Sequence, residues 1–205
     1  MAFWGAPRPT EQHAFLACKA ALEIKKSVSE LVSENKKSGK AVMFTRMGIK
    51  TGELIIGNMG APERLNYSCL GDTVNVAARL ESINKVYNTE ILIGETTNGY
   101  VKGRVVSRIV DRVAVKGKTQ GTVIYEPLAI KTDADDSIQR LADISSKAFT
   151  HYQEQNWDSA IELLDEILSE YPDVGPASII RERCIIFKDS PPPENWNGIY
   201  VAKSK

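Results

Sequence analysis

Residues 64–81, RLNYSCLGDTVNVAARLE, decide the fold, because they change from strand-like to helix-like spacing at a Gly-Asp pair. Tyr67 to Leu70 has the composition of a short strand, and Gly71-Asp72 is typical of a turn. From Thr73 the spacing predicts a helix to about Tyr87. Its inward face is predicted to hold Val74, Ala77, Ala78 and Ile83. A strand followed directly by a helix is the building unit of an α/β fold.

The segments on either side continue this alternation of strands and helices. Upstream, we predict a strand at Met1 to Gly5, a helix capped by Thr10 and ending near Ser33, strands at Val42 to Thr51 and Glu53 to Gly57 joined across Gly52, and a loop at Asn58 to Asn66. Downstream, we predict a strand at Glu90 to Ile93, a helical turn at Thr96 to Tyr100, and a hairpin of Val105 to Val115 with Thr122 to Ile130.

After residue 130 the pattern becomes helical only. The sequence therefore predicts an α/β domain over residues 1–130, a linker over 131–140 and a helical extension over 141–205. A tetratricopeptide helix pair carries its characteristic small residues and a closing proline at set positions. Here those positions are occupied by Ala148, Ala160, Ile167 and Pro172, so the segment resembles such a pair. One such pair cannot bury its own apolar face. It must pack on the α/β domain, on a partner, or on a third helix predicted at Ala177 to Phe187.

The composition excludes several classes of function. The chain has 26 basic and 26 acidic residues, and this neutrality gives no support to nucleic-acid binding, which needs a basic excess. No apolar run approaches the ~18 residues that a membrane helix requires. Three scattered cysteines, Cys18, Cys69 and Cys184, fit a reducing cytosol, and the two isolated histidines do not suggest a zinc site.

Asn75 and Arg79 are the first candidate site residues. They are four residues apart, so they share one face of the predicted helix, whose N-terminus could face an anion. Arg79 offers a planar fork to phosphate oxygens, and Asn75 can both donate and accept hydrogen bonds. The plainer alternative is that Asn75 caps or bridges and Arg79 is a solvated helix arginine.

A second candidate is Lys116-Gly117-Lys118, two lysines that flank a glycine at the predicted hairpin turn. A third is the glycine-rich stretch from Arg46 to Gly60, where backbones could approach closely. The plainer alternative for the two lysines is an ordinary charged turn. The plainer alternative for the glycines is that they only mark turns. Spacing alone supports only an α/β domain with a helix that could face a phosphate.

In order, these segments resemble the catalytic domain of the class III adenylate/guanylate cyclases. The matching stretches are MAFWGAP at 1–7, RMGIKTGELIIGNMG at 46–60, RLNYSCLGDTVNVAARLE at 64–81, VKGK at 115–118 and VIYEP at 123–127. The resemblance covers residues 1 to about 128. It implies a partial, ferredoxin-like cyclase sheet with helices, followed by a small all-α tail, and a dimer with active sites at the subunit interface.

The resemblance also implies a reaction and the roles of four residues. The enzyme would be a phosphorus-oxygen lyase that converts ATP, or GTP, to a cyclic nucleotide and pyrophosphate. Asn75 matches the residue that orients the ribose, and Arg79 matches the arginine that stabilises the transition state. Lys116 matches the lysine on the triphosphate. Ser68 falls at a purine-selecting position where adenylate cyclases carry Asp or Thr, so its hydroxyl favours ATP.

Metal binding is where the sequence departs from the family. The family binds Mg²⁺ or Mn²⁺ through two aspartates, but no Asp precedes Asp72 here, so we assign no metal ligand. Met1 therefore resembles an internal methionine of a longer protein. We expect a homodimer of this chain to be nearly inactive, since metal ions supply much of the catalysis in phosphoryl transfer. The chain could still complement a full-length cyclase subunit.

Two other functions fit the same sequence. One is a non-catalytic interaction module, in which a cyclase-like domain and a tetratricopeptide-like tail bind a protein partner. The other is an effector domain that binds nucleotide without cyclising it. In each case the sequence predicts a cytoplasmic location for these residues, and the parent protein could be anchored to a membrane.

Overall fold

The computed structural model describes residues 1–61, 63–114, 121–193 and 195–199. Within them, strands and helices alternate before three consecutive helices, which confirms the predicted α/β fold with a small helical tail. The elements are α1 (His13–Lys37), β1 (Met47–Ile49), β2 (Ile55–Ala61), β3 (Arg64–Leu70), α2 (Asp72–Tyr87), β4 (Ile91–Gly94), α3 (Glu95–Val101), β5 (Val105–Val113), β6 (Thr122–Ile130), α4 (Asp136–Gln153), α5 (Trp157–Glu170) and α6 (Gly175–Asp189).

A four-stranded sheet in the order β1-β4-β6-β5 forms the centre of the α/β part. β1 and β4 are parallel, and the other neighbours are antiparallel. β4 is buried on both faces, because Ile91 and Ile93 pack against α1 while Leu92 packs against α2. This explains its continuous apolar sequence, which is typical of a strand covered on both sides.

β2 and β3 form a separate antiparallel hairpin, with Ile55 opposite Leu70 and Ala61 opposite Arg64. The prediction of a loop over 58–66 was therefore wrong for most of that range. The strands predicted on either side of Gly52 correspond to β1 and β2, which belong to different sheets, because β1 pairs with β4 and β2 pairs with β3. Glycines within 57–60 were interpreted as turn signals, whereas they lie in a strand.

The N-terminal segment differs from its prediction as well. Residues 1–5 form no strand, and α1 begins at His13 rather than at a Thr10 cap. The Thr10 hydroxyl instead accepts a hydrogen bond from the Gln12 amide at 3.2 Å, just before the helix. Pro7 and Pro9 lie in the segment between, and proline disfavours both strand pairing and helix interior.

α2 packs on the sheet through a face that the spacing predicted only in part. Its bounds agree with the predicted Thr73 to Tyr87 within one residue, but Ala78 is exposed. The Asn84 amide, fully buried, donates to the carbonyl oxygen of Met47 at 3.0 Å and so ties α2 to β1. The buried residues of the helix are Val76, Leu80, Asn84 and Tyr87.

The three tail helices pack on one another and on β5. α4 begins inside the segment predicted as linker, and the Asp135 carboxylate caps it by accepting from the Ile138 amide at 2.9 Å. Apolar residues from all three helices share one buried cluster with Ile109 and Leu128 of the sheet. Of the three packing options left open by the sequence, the third helix and the α/β domain are both used.

Candidate functional site

The first turn of α2 is held against the connection between β1 and β2. Gly71 precedes the helix with φ +147°, a backbone conformation that favours glycine. The Thr73 hydroxyl donates to the carbonyl oxygen of Glu53 at 2.9 Å. A Cβ on Gly52 would lie 2.6 Å from that hydroxyl oxygen, so the connection passes close beside the helix. The start of the candidate helix is therefore fixed from two sides.

Asn75 and Arg79 lie on the exposed face of α2, as their spacing predicted. Their neighbours Val76 and Leu80 are buried, with exposed fractions of 6% and 2%, and set the rotation of the helix. The two candidate side chains therefore share one solvent-facing surface. Together they can present an amide and a guanidinium to a ribose and a phosphate.

Ser68 lies on β3, half-buried and opposite Gly57 in the hairpin register. Only Cys69, Leu70 and Gly71 separate it from the start of α2. The hairpin and the helix therefore bring the purine-selecting candidate into the neighbourhood of the helix. Lys116, the fourth candidate, and its neighbour Lys118 lie outside the described residues.

A cavity of about 450 Å³ lies between the N-terminal segment, the β1–β2 connection and the inner flank of α2. The N-terminal segment reaches the hairpin through Phe3 and Tyr67, whose ring centroids are 5.9 Å apart. Thr73, Val74 and Ala77 line the cavity from α2. Asn75 and Arg79 are not among its lining residues, so this cavity and the candidate face are different surfaces of one helix.

Among the described residues, no cluster of three or more metal-ligating side chains offers a site for divalent ions. Within residues 1–61, 63–114, 121–193 and 195–199, no three His, Cys, Asp or Glu side chains come together as a metal site. Glu53 is the one carboxylate among the residues that line the cavity beside α2. Two divalent ions need several shared oxygen ligands.

The C-terminal end of α2 carries a buried polar cluster that the sequence analysis missed. The Tyr87 hydroxyl donates to the Asp111 carboxylate of β5, and Arg183 of α6 forms an ion pair with the same carboxylate. Arg183 also donates to the Tyr87 hydroxyl at 3.4 Å. The exposed fractions are 3%, 0% and 6% for Tyr87, Asp111 and Arg183. No sequence signal marks this cluster, because its members are far apart in the chain.

The protonation states of this cluster follow from its burial and charges. Burial raises the pKa of Tyr87, Asp111 raises it further, and Arg183 opposes the rise. Tyr87 therefore remains a hydrogen-bond donor at neutral pH. Burial lowers the pKa of Arg183, but Asp111 and Tyr87 more than offset this, and the net pKa is raised. Arg183 is consequently a permanent buried cation.

Residues 1–126 match the family described as the adenylate and guanylate cyclase catalytic domain, and the chain belongs to that family. The match covers α1, the hairpin, α2 and most of the central sheet. Asn75, Arg79, Ser68 and Lys116 all lie inside it. The three tail helices lie beyond the matched residues.

Relatives of known name include cyclases of both kinds. Adenylate cyclase 1 of Rhizobium meliloti (strain 1021) is 38% identical over 129 residues, which are 63% of this chain and 19% of that protein. The guanylate cyclase soluble subunit beta-2 of Rattus norvegicus is 30% identical over 128 residues, which are 61% of this chain and 18% of that protein. The chain thus spans about a fifth of these relatives.

A solved structure of similar fold is the adenylyl cyclase CyaB from P. aeruginosa. It has a TM-score of 0.56 and 30% sequence identity, and the similarity covers 65% of this chain and 68% of that chain. Among the helices of the described residues, none has the length and apolar content needed to cross a bilayer.

Proposed function

We propose that this chain is part of a nucleotidyl cyclase that converts ATP to cyclic AMP and pyrophosphate in signal transduction. The ribose 3′-hydroxyl oxygen bonds to the α-phosphorus and its proton passes to water, while the bond from that phosphorus to the bridging oxygen breaks and pyrophosphate leaves with the electron pair. The observation that carries the proposal is the shared exposed face of Asn75 and Arg79 in a chain of the cyclase family.

Asn75 and Arg79 have separate roles in this proposal. The Asn75 amide holds the ribose, so that its 3′-hydroxyl lies in line with the α-phosphorus. The Arg79 guanidinium binds the phosphate oxygens on which negative charge develops in the transition state. Lys116 binds the triphosphate as a point charge. Removing a donor of this kind typically costs about 10² to 10³ in kcat.

The proposed site is completed by a second subunit. Asn75 and Arg79 lie on an open surface outside the cavity that adjoins α2. A substrate held by these two side chains alone would be open to water, which weakens the electrostatic stabilisation of the transition state. A facing subunit, either a second copy of this chain or a full-length cyclase, would enclose the nucleotide. Only the full-length subunit would also bring carboxylates that could hold Mg²⁺ or Mn²⁺.

We infer that a homodimer of these 205 residues forms little cyclic nucleotide. Within the described residues, no three His, Cys, Asp or Glu side chains come together as a metal site. The chain therefore contributes the Asn75 and Arg79 side of a site, while metal ligands come from its partner. We place the reaction in the cytoplasm, where ATP is available and where cysteines remain reduced.

ATP is the proposed purine nucleotide, and GTP is the alternative. The half-buried Ser68 hydroxyl can donate or accept a hydrogen bond at the edge of a purine ring. The named relatives include both an adenylate and a guanylate cyclase, so the family leaves both purines open. A Ser68→Ala variant is expected to lower the preference for ATP over GTP about tenfold, because one hydrogen bond of discrimination is lost.

A complementation assay tests the proposal. The chain is mixed with a full-length class III adenylate cyclase whose own equivalents of Asn75 and Arg79 are replaced by alanine. With ATP and Mn²⁺, cyclic AMP is expected to rise above the level of either protein alone. The matched control is this chain with Arg79→Ala, which should abolish the rise. Equal activity with the native chain and the control would reject the proposal.

A non-catalytic interaction module is the second candidate function. The helical tail that lies beyond the residues matched to the family favours it. The tail would then bind a protein partner through its outer helix faces. The two functions differ in the same assay, because an interaction module produces no cyclic AMP with any complementing subunit.

A further inference from the structure

The last tail helix, α6, contacts the C-terminal end of α2 at two places. At the start of α6, a Cβ on Gly175 would lie 2.0 Å from the carbonyl oxygen of Tyr87, so the two backbones touch there. Two turns later, Arg183 reaches Tyr87 and Asp111 in the buried cluster. We call these two contacts the α2–α6 joint.

The buried polar contacts of the joint oppose any movement of α6 along α2. Arg183 and Asp111 are a buried ion pair, and Tyr87 bonds to both, so each group satisfies the others. Separating Arg183 from Asp111 would break a buried ion pair, which costs much more than breaking an exposed one. The contact at Gly175 also fixes the distance between α6 and α2, because backbone atoms cannot move aside as a flexible side chain can.

The α2–α6 joint and the exposed face with Asn75 and Arg79 lie at different ends of the same helix, α2. Tyr87 is eight residues after Arg79, about 12 Å along a helix, and twelve residues after Asn75, about 18 Å. Leu80 holds the middle of α2 to the sheet, and Asn84 ties its last turn to β1. A shift at the C-terminal end therefore turns or tilts the helix about this middle. A displacement near 1 Å at reacting groups is enough to reduce catalysis strongly.

We propose that the helical tail is a positioning element for α2, in which Arg183 acts through Tyr87 to fix the orientation of Asn75 and Arg79. This inference rests on the proposed cyclase function for its catalytic consequence, but not for the mechanical one. Arg183 is a positioning residue and does not touch the substrate. The tail face that carries Gly175 and Arg183 is occupied by α2 and β5, so it is not available to a protein partner.

Hydrogen–deuterium exchange of the full chain tests the mechanical part. Tyr87→Phe removes the hydroxyl of the joint, and Gly175→Ala presses α6 away from α2 without changing a charge. Each variant is expected to raise the exchange of amides 84–88 roughly tenfold, because a buried hydrogen bond or close contact is lost locally. Amides 14–21 of α1 should exchange as in the native chain. The control Arg181→Met loses an exposed pair with Asp165 inside the tail and should change neither set.

The outcomes of this experiment separate the two claims. Unchanged exchange at 84–88 in both variants, or an equal rise across the whole chain, overturns the inference. If Tyr87→Phe does not fold, Gly175→Ala makes the same comparison. In the complementation assay, Tyr87→Phe should lower kcat about tenfold with KM for ATP unchanged, because positioning acts on the transition state. If exchange changes as expected but the native chain does not complement, the cyclase function is rejected while the role of the α2–α6 joint in holding α2 is still supported.

Discussion

Gly48 of β1 and Ala77 of α2 lie backbone to backbone. A Cβ on Gly48 would lie 2.1 Å from the carbonyl oxygen of Ala77 and 2.3 Å from the amide nitrogen of Glu81. α2 therefore approaches the sheet as closely as a backbone allows, and only glycine permits this depth. The distance between α2 and the sheet also sets the position of the exposed face of α2. Gly48 therefore helps to determine the positions of Asn75 and Arg79.

Replacing Gly48 with alanine should destabilise the protein by about 2 kcal/mol, since β1 and α2 must separate to admit a methyl group. The measurement is the midpoint of urea unfolding, followed by circular dichroism. Gly57→Ala is the matched control, because a Cβ at Gly57 meets nothing within 4 Å. Equal midpoints for the two variants would contradict the close contact of β1 with α2.

Arg108→Met should cost about 3 kcal/mol of unfolding free energy. Arg108 of β5 binds Glu126 of β6 through its Nε at 2.8 Å, and only 6% of Arg108 and 4% of Glu126 is exposed. Among the described residues, removing the arginine leaves this buried carboxylate paired with the more distant Lys25 at 3.6 Å.

The matched control for that substitution is Arg140→Met, in an exposed pair with Glu166 and Glu170 on α5. Exposed pairs are screened by water and contribute little, so this variant should unfold at nearly the native urea concentration. A larger loss for Arg140→Met than for Arg108→Met would show that burial does not govern these two pairs.

Stability should fall in alkali because of two buried thiols. Burial raises the pKa of Cys18 and of Cys184 to about 12. A thiol titrates near 8.5 in the unfolded chain, so its contribution is complete below that pH and declines as the pH rises towards the folded value. Each thiol should lower the unfolding free energy by ~1.4 kcal/mol per pH unit in that interval.

Urea unfolding between pH 8 and 11 measures this effect. Cys18→Ala and Cys184→Ala should each flatten the decline, although each also lowers the stability at neutral pH by removing a buried sulfur. A decline of unchanged slope in the double variant would assign the alkaline loss to other groups.

Two neighbouring residues of α2 should separate stability from activity. Arg79→Ala should change the unfolding free energy by no more than about 0.5 kcal/mol, because its side chain lies on the exposed face. Leu80→Ala should cost 2 to 5 kcal/mol, as expected for a buried leucine. In the complementation assay Arg79→Ala should be inactive although folded. A folded and active Arg79→Ala would remove the principal support for the proposed reaction.

The sequence predicted the elements whose residues carry a clear period or turn. α2 was placed within one residue because Gly71-Asp72 ends one pattern and starts another, and β5 and β6 were correctly paired as a hairpin. It failed over 58–66, where Gly60 resembled a loop residue although it lies in β2. Pairing of β1 with β4, parallel and more than forty residues away, depends on tertiary packing that local patterns do not encode.

The candidate site likewise has a part that the sequence predicts and a part that only the structure shows. The common face of Asn75 and Arg79 follows from helical spacing, and the structure places both residues on the exposed side of α2. The Asp111 and Arg183 pair joins residues 72 positions apart, and each alone resembles an ordinary surface charge in the sequence. Only the folded chain reveals that the tail and α2 share a buried contact.

The anchoring of Arg183 between Tyr87 and Asp111 bears on how such proteins can be recombined. A graft of this tail onto another protein of the family would bring an uncompensated cation into the host's interior unless the tyrosine and the aspartate were transferred too. Evolutionary exchange of the tail would meet the same obstacle. The three residues should therefore be inherited as a unit, which a survey of cyclases with and without such helices would reveal.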